Sequence, residues 1–114
     1  MQTQNKKNMD IVAILSDLVS VKILTPQDWS LFKEKFSLVY PSFFPLILTK
    51  GYYFTNSEER LLALEKLNLT TTHIANILGI SPESVHTARY RLRKKLNVSC
   101  NKCIIGFLEG QLEM

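Results

Sequence analysis

Glycine and proline are scarce in this chain, with four of each in 114 residues, which excludes collagen-like, linker-like and low-complexity organisation. Together with near-average apolar content, that scarcity predicts an ordered chain. No run approaches the roughly 18 uninterrupted apolar residues of a membrane span. Lys6 and Lys7 before Met-Asp-Ile-Val-Ala-Ile-Leu look superficially like a secretory leader, but Asp10 and Asp17 interrupt the apolar stretch and no small-residue cleavage site follows. A cytoplasmic protein with no membrane partner is expected.

Metal-ligating and catalytic residue types are equally sparse. The chain has two cysteines and two histidines. Cys100 and Cys103 form a Cys-x-x-Cys, yet a zinc site needs four ligands and neither His73 nor His86 has finger spacing. A thioredoxin-like motif needs a strand before it, where this sequence has a basic helix. Two reduced cysteines, at least one buried as a small apolar residue, and no metal are expected. Nor is there a Ser-His-Asp order, a credible carboxylate pair or a Gly-rich phosphate loop, so neither an enzyme nor a cofactor is expected.

What is present reads as all-α. At 114 residues the chain suits one small domain or a compact domain with a helical extension. Residues 8–22 place Ile11, Ile14, Leu15, Leu18 and Val19 on a wide apolar face that must pack on something. Thr25-Pro26 reads as a cap and first-turn proline opening a second helix, with Trp29, Phe32, Phe36 and Val39 along one side. Pro41 and Pro45 are expected to break it, leaving a short buried piece around Phe43, Phe44, Leu46, Ile47 and Leu48. The aromatic series from Trp29 to Tyr53 could serve base stacking, but its helical spacing favours a core or a subunit contact. Thr55 caps the next helix, with Leu61, Leu62, Leu64 and Leu67 as core. Residues 99–112 form a last helical pattern.

Thr70 to Leu96 carries the strongest signal. Ile74, Ala75, Ile77 and Leu78 make a short amphipathic helix, and Gly79 supplies the left-handed residue of a tight reversal. Ser81 and Pro82 then open a second helix. Val85, Ala88, Leu92 and Leu96 form its apolar stripe, while Glu83, Thr87, Tyr90 and Lys94, flanked by His86 and Arg91, lie opposite. Residues 81–97 hold Arg89, Arg91, Arg93, Lys94 and Lys95 against the single acid Glu83, so the chain's formal charge of +4 is concentrated there. A helix, a Gly turn and a basic second helix are the sequence form of a helix-turn-helix, whose natural partner is double-stranded DNA.

From Phe54 to Val98 the sequence resembles the DNA-binding domain of LuxR-type bacterial response regulators. Phe54-Thr55 with Glu58 match that family's opening signature, Ile74-Ala75 its second helix, Ile80-Ser81 and Val85 its turn, and Lys95-Leu96 the end of its recognition helix. Asn68 stands in place of the usual Gly, His73 in place of an acid that would cap reciprocally with Thr70, and Ala88 in place of a common His. Upstream, Asp28-Trp29, Phe32, Phe36, Val39-Tyr40-Pro41 and Phe43 resemble the segment preceding this domain in large regulators that combine tetratricopeptide repeats, a membrane span and a LuxR-type terminus. This chain carries no repeats, no span and no receiver domain.

The resulting expectation is a helical N-terminal extension, 1–53, followed by a four-helix LuxR-type helix-turn-helix domain, 54–114. The resemblance implies that Glu83, His86, Thr87 and Tyr90 face base edges, with Thr70, Thr71, Thr72, Ser84, Arg91, Arg93, Lys94 and Lys95 on phosphates. Arg89, at the edge of the apolar stripe, is open to either a DNA contact or an ion pair with Glu58 or Glu59. A homodimer is expected through Ile11, Leu15 and Leu18 of the first helix or Ile105, Phe107 and Leu108 of the last, where Gly106 would permit close approach. A regulator or sensor protein is a further possible partner. The competing readings are a helical protein-interaction module with a vestigial helix-turn-helix, and a promoter-reading domain of sigma-factor type.

Overall fold

A computed structural model describes residues 2–99 and 103–110, with side-chain environments over 10–99 and 104–110. Among the described residues there are seven helices and no strand: α1 (Gln2–Leu18), α2 (Pro26–Val39), α3 (Phe43–Leu48), α4 (Asn56–Lys66), α5 (Thr71–Leu78), α6 (Pro82–Leu96) and α7 (Cys103–Leu108). None is long and apolar enough to cross a membrane. Cys100 lies outside the described residues, as does the Cys103 side chain, and with them the expectation for the cysteines.

Local chemistry accounts for most helix starts. Thr25 and Thr55 each accept a hydrogen bond from the backbone N–H three residues on, and the carboxylates of Asp28 and Glu58 reach back to the cap amides. These are complete capping boxes. Thr70 caps α5 and Ser81 caps α6 through single side-chain bonds. Positive φ falls at Asn68, Gly79 and Asn97, each just beyond a helix end, where the left-handed conformation closes the last turn.

Several boundaries differ from the sequence expectation: α1 begins at Gln2, ahead of residue 8, and α7 is described over Cys103–Leu108 within the expected 99–112. Pro45 lies inside α3, not at a break. It occupies the first turn, where a backbone N–H has no helical acceptor and its loss is free. The first helix ends at Leu18, short of residue 22, because the following linker is captured by α5. Lys22 Nζ donates to the Asn76 carbonyl at 2.9 Å, and the Ile23 N–H donates to the Ile77 carbonyl at 2.7 Å. Gly79 and Ile80 N–H groups both donate to the Ala75 carbonyl. The exposed carbonyls at the end of α5 are thus satisfied partly by its own turn and partly by the linker.

α1 packs on α2, α5 on α6, and α4 on both α6 and α7. One buried cluster runs from Leu18 to Leu108 and is continuous across residue 53. Trp29, Phe32, Phe36, Phe43 and Phe44 are all inside it, in stacked, tilted and edge-on ring contacts of 5.3–6.0 Å. The aromatic series from Trp29 through Phe44 is therefore core, and Tyr53 alone projects, 83% exposed.

Candidate nucleic-acid interface

α5 and α6 are joined by Gly79, Ile80 and Ser81 alone. Gly79 sits at φ +68°, and Ile74, Ala75, Ile77, Val85, Leu92 and Leu96 anchor the two helices in the core. That anchoring fixes what α6 presents outward. Glu83, His86, Thr87, Tyr90 and Lys94 recur along one solvent-facing strip, with Ser84 and Arg91 beside it, and all seven are exposed. Tyr90 is half exposed, with the Arg93 guanidinium and Lys94 ammonium 5.6 and 5.7 Å from its ring centroid.

The five basic residues of α6 divide into two groups. Arg89 is buried: its Nε donates to the Glu65 carboxylate in a short ion pair, and its Nη1 donates to Thr71 Oγ1 at 2.5 Å. Of the alternatives left open by the sequence, the ion pair is found, with Glu65 and not with Glu58 or Glu59. Burial pushes the Glu65 carboxyl above the ordinary glutamate range, against the pull of Arg89. Lys95 turns back to α4, donating to Glu58 Oε1 at 2.8 Å and to the Tyr53 carbonyl at 2.5 Å. Burial works to raise the Glu58 carboxyl, but Lys95 and the Thr55 amide outweigh it and hold the group below its ordinary value. Arg91, Arg93 and Lys94 are left without a carboxylate partner among the described residues.

Past the end of α6, Arg93 and Lys94 border a cavity of about 310 Å³ that Tyr90, Asn97, Val98 and Ser99 also line. Arg93 approaches the Ser99 carbonyl at 3.5 Å, and its buried Nε has no acceptor. This is the electropositive end of the strip. At the other helix, Thr70 and Thr72 are exposed at the start of α5, while the Thr71 hydroxyl is engaged by Arg89. Ser84 Oγ accepts from Ser81 Oγ at 3.0 Å.

The apolar residues expected at a subunit contact separate in the same way. Leu18 and Leu108 are closed off in the chain's own core, whereas Ile11, Leu15, Ile105 and Phe107 are part exposed. Val12, Leu31 and Leu38, 59–66% exposed, are the large apolar side chains that α1 and α2 leave in solvent. Beyond His73, the role of the α1–α2 linker has no local sequence pattern. His73 Nε2 lies 2.6 Å from the Val19 carbonyl, so with Lys22 and Ile23 the linker follows α5 along its length. An acid at position 73, ionised, could not donate to that carbonyl, so the histidine there is the one local mark of the contact.

Compared with models of known families, with curated proteins and with solved structures, the chain matches none.

Proposed function

We propose that this chain is a sequence-specific double-stranded-DNA-binding transcriptional regulator of LuxR-like type, with α6 as the recognition helix in the major groove. The observation that carries the reading is the division of α6. Its inner face is locked into the core by Val85, Arg89, Leu92 and Leu96, and its outer strip offers His86, Thr87, Tyr90 and unpaired cations to a ligand. A major groove admits such a helix and presents base edges to its outward side chains.

Glu83, His86, Thr87 and Tyr90 are assigned to base edges. Arg91, Arg93 and Lys94 take phosphates, with Thr70, Thr72 and Ser84 contributing hydroxyls; Arg89, Thr71 and Lys95 serve chiefly to hold α6 on α4 and α5. Three cations on one helix without a carboxylate partner among the described residues support binding in which log K falls by about 0.9 per phosphate neutralised as log salt rises. The bound form is a two-fold dimer, since one helix offers few base contacts; half-sites would lie roughly 34 Å apart.

Selection of bound duplexes from a random library, followed by affinity measurement against salt, tests the reading. A recovered motif bound more tightly than random duplex, with a steep salt slope, supports it. Equal, salt-insensitive affinity for every duplex would favour a protein-interaction module.

A further inference from the structure

Arg60 stands out among the charged residues of α4. Glu58 is paired with Lys95, Glu59 with Lys33, Glu65 with Arg89 and Lys66 with Glu109. Arg60 has no carboxylate partner among the described residues. Its Nε is buried without an acceptor, and its guanidinium lies 5.7 Å from the centre of the Trp29 ring. Lys33 also approaches that ring, at 6.0 Å, so the Trp29 surroundings hold two cations and one nearby acid, Glu59. A partly buried cation without a counter-ion is costly unless something pairs with it.

Arg60 borders a cavity of about 160 Å³ whose other walls are Ile23 from the linker, Ser57 from α4, Leu78 from the end of α5, Ile80 from the turn, and Ala88 from α6. Four walls are apolar and two polar. A cavity of about 150 Å³ with apolar walls accepts a benzene-sized group. The guanidinium supplies planar donors matched to a carboxylate, and the Ser57 hydroxyl adds one more donor.

We propose that this cavity binds a small monocarboxylate with a short branched or aromatic tail, the carboxylate on Arg60 and Ser57 and the tail against Ile23, Leu78, Ile80 and Ala88. Such a ligand touches the linker, α4, the turn and α6 at once, so its occupancy bears on how α6 is held. The binding claim is independent of the proposed DNA function, and only an effect on duplex affinity would rest on it.

Trp29 is the chain's single tryptophan, and Arg60 lies against it, which makes intrinsic fluorescence of the full chain a direct reporter. Titration with 3-methylbutanoate is expected to give a saturable change in the millimolar range. The neutral isostere 3-methylbutanol should bind at least about tenfold more weakly, because it cannot accept charge-assisted bonds. Acetate and sulfate, which lack the tail, should give no saturable change at the same concentrations. Arg60→Met keeps the stem and should weaken 3-methylbutanoate about tenfold or more; Ala88→Leu, filling the tail site from the α6 side, should do likewise with Arg60 intact. Unchanged binding in a folded Arg60→Met variant, equal binding of alcohol and carboxylate, or a sulfate response matching that of 3-methylbutanoate would each overturn the proposal. If Arg60→Met does not fold, Ala88→Leu and the alcohol comparison decide it.

Discussion

The Arg89 guanidinium and the Glu65 carboxylate form a buried ion pair that fastens α6 to α4, with Thr71 of α5 held by the same guanidinium. One side chain thus ties together three helices. Removing one member of such a pair strands the other charge in the interior, at about 3–5 kcal/mol, whereas replacing both by apolar groups of similar volume is often neutral or better. Glu65→Leu and Arg89→Met are each expected to lower stability by that order in urea unfolding, and the double variant should recover most of the loss. Additive losses in the double variant would refute the coupling.

The two terminal lysines of α6 should behave differently although they adjoin in sequence. Lys94 points to solvent beside Tyr90, and Lys95 is tied to Glu58 and the Tyr53 carbonyl. Lys94→Ala should weaken binding to all duplexes alike and flatten the log K against log salt slope by about one unit. Lys95→Ala should leave more of the slope intact and lower the thermal midpoint. Fluorescence anisotropy at several salt concentrations, paired with thermal melts, separates the two.

Thr87 is exposed in the middle of the outer strip, and its hydroxyl makes no hydrogen bond among the described residues. Thr87→Ala should therefore cost about 1–3 kcal/mol of discrimination at one base pair of a selected site while sparing non-specific binding. Val85, fully buried on the opposite face, should respond to Val85→Asp by loss of the fold itself. Competition of specific against random duplex distinguishes readout from folding.

Acid should act through the capping boxes. The Leu24 amide foremost, against partial burial and together with the Thr25 amide, holds the Asp28 carboxyl below its ordinary value, and Glu58 is lowered as described. A carboxyl whose pKa is depressed by folding contributes stability above its unfolded value and loses it as pH falls through the folded one. Glu65, raised by burial, carries the opposite sign. Stability should therefore fall below about pH 4.5, the ordinary glutamate value. Glu58→Gln should make that acid limb shallower in urea midpoints measured across pH; an unchanged limb would remove Glu58 from the account.

Which features were legible in the sequence follows from their range along the chain. Caps at Thr25, Thr55, Thr70 and Ser81, the left-handed Asn68 and Gly79, and the buried stripe of Val85, Leu92 and Leu96 depend on neighbours within a turn or two, and each was readable. Pro45 reads as a breaker but is tolerated, because α3 begins at Phe43 and puts it in the first turn. Lys95 reads as a free cation, and Arg89 stays open between DNA and an ion pair with Glu58 or Glu59, because their actual partners, Glu58 and Glu65, lie 37 and 24 residues away. The end of α1 was likewise set by carbonyls of α5 more than fifty residues on, which no local pattern records. Of the cations expected on phosphates, Arg91, Arg93 and Lys94 have no carboxylate partner among the described residues, and Lys95 is held by Glu58.

Gly79 is where the turn, the linker and the readout helix meet. Its φ of +68° disfavours any side chain, and a Cβ there would stand 2.6 Å from Leu24 Cδ2. Leu24 is largely exposed and can move aside, so the backbone term dominates, at roughly 1–2 kcal/mol for a left-handed alanine. Gly79→Ala should lower stability by about that amount, and Gly79→Asn by less, because asparagine enters the left-handed region more readily. If contact with Leu24 governed instead, Gly79→Asn would be at least as damaging as Gly79→Ala, and Leu24→Ala would rescue both. Urea unfolding of the three variants and the two doubles distinguishes a constraint written in the turn's own backbone from one imposed by the linker packed against it.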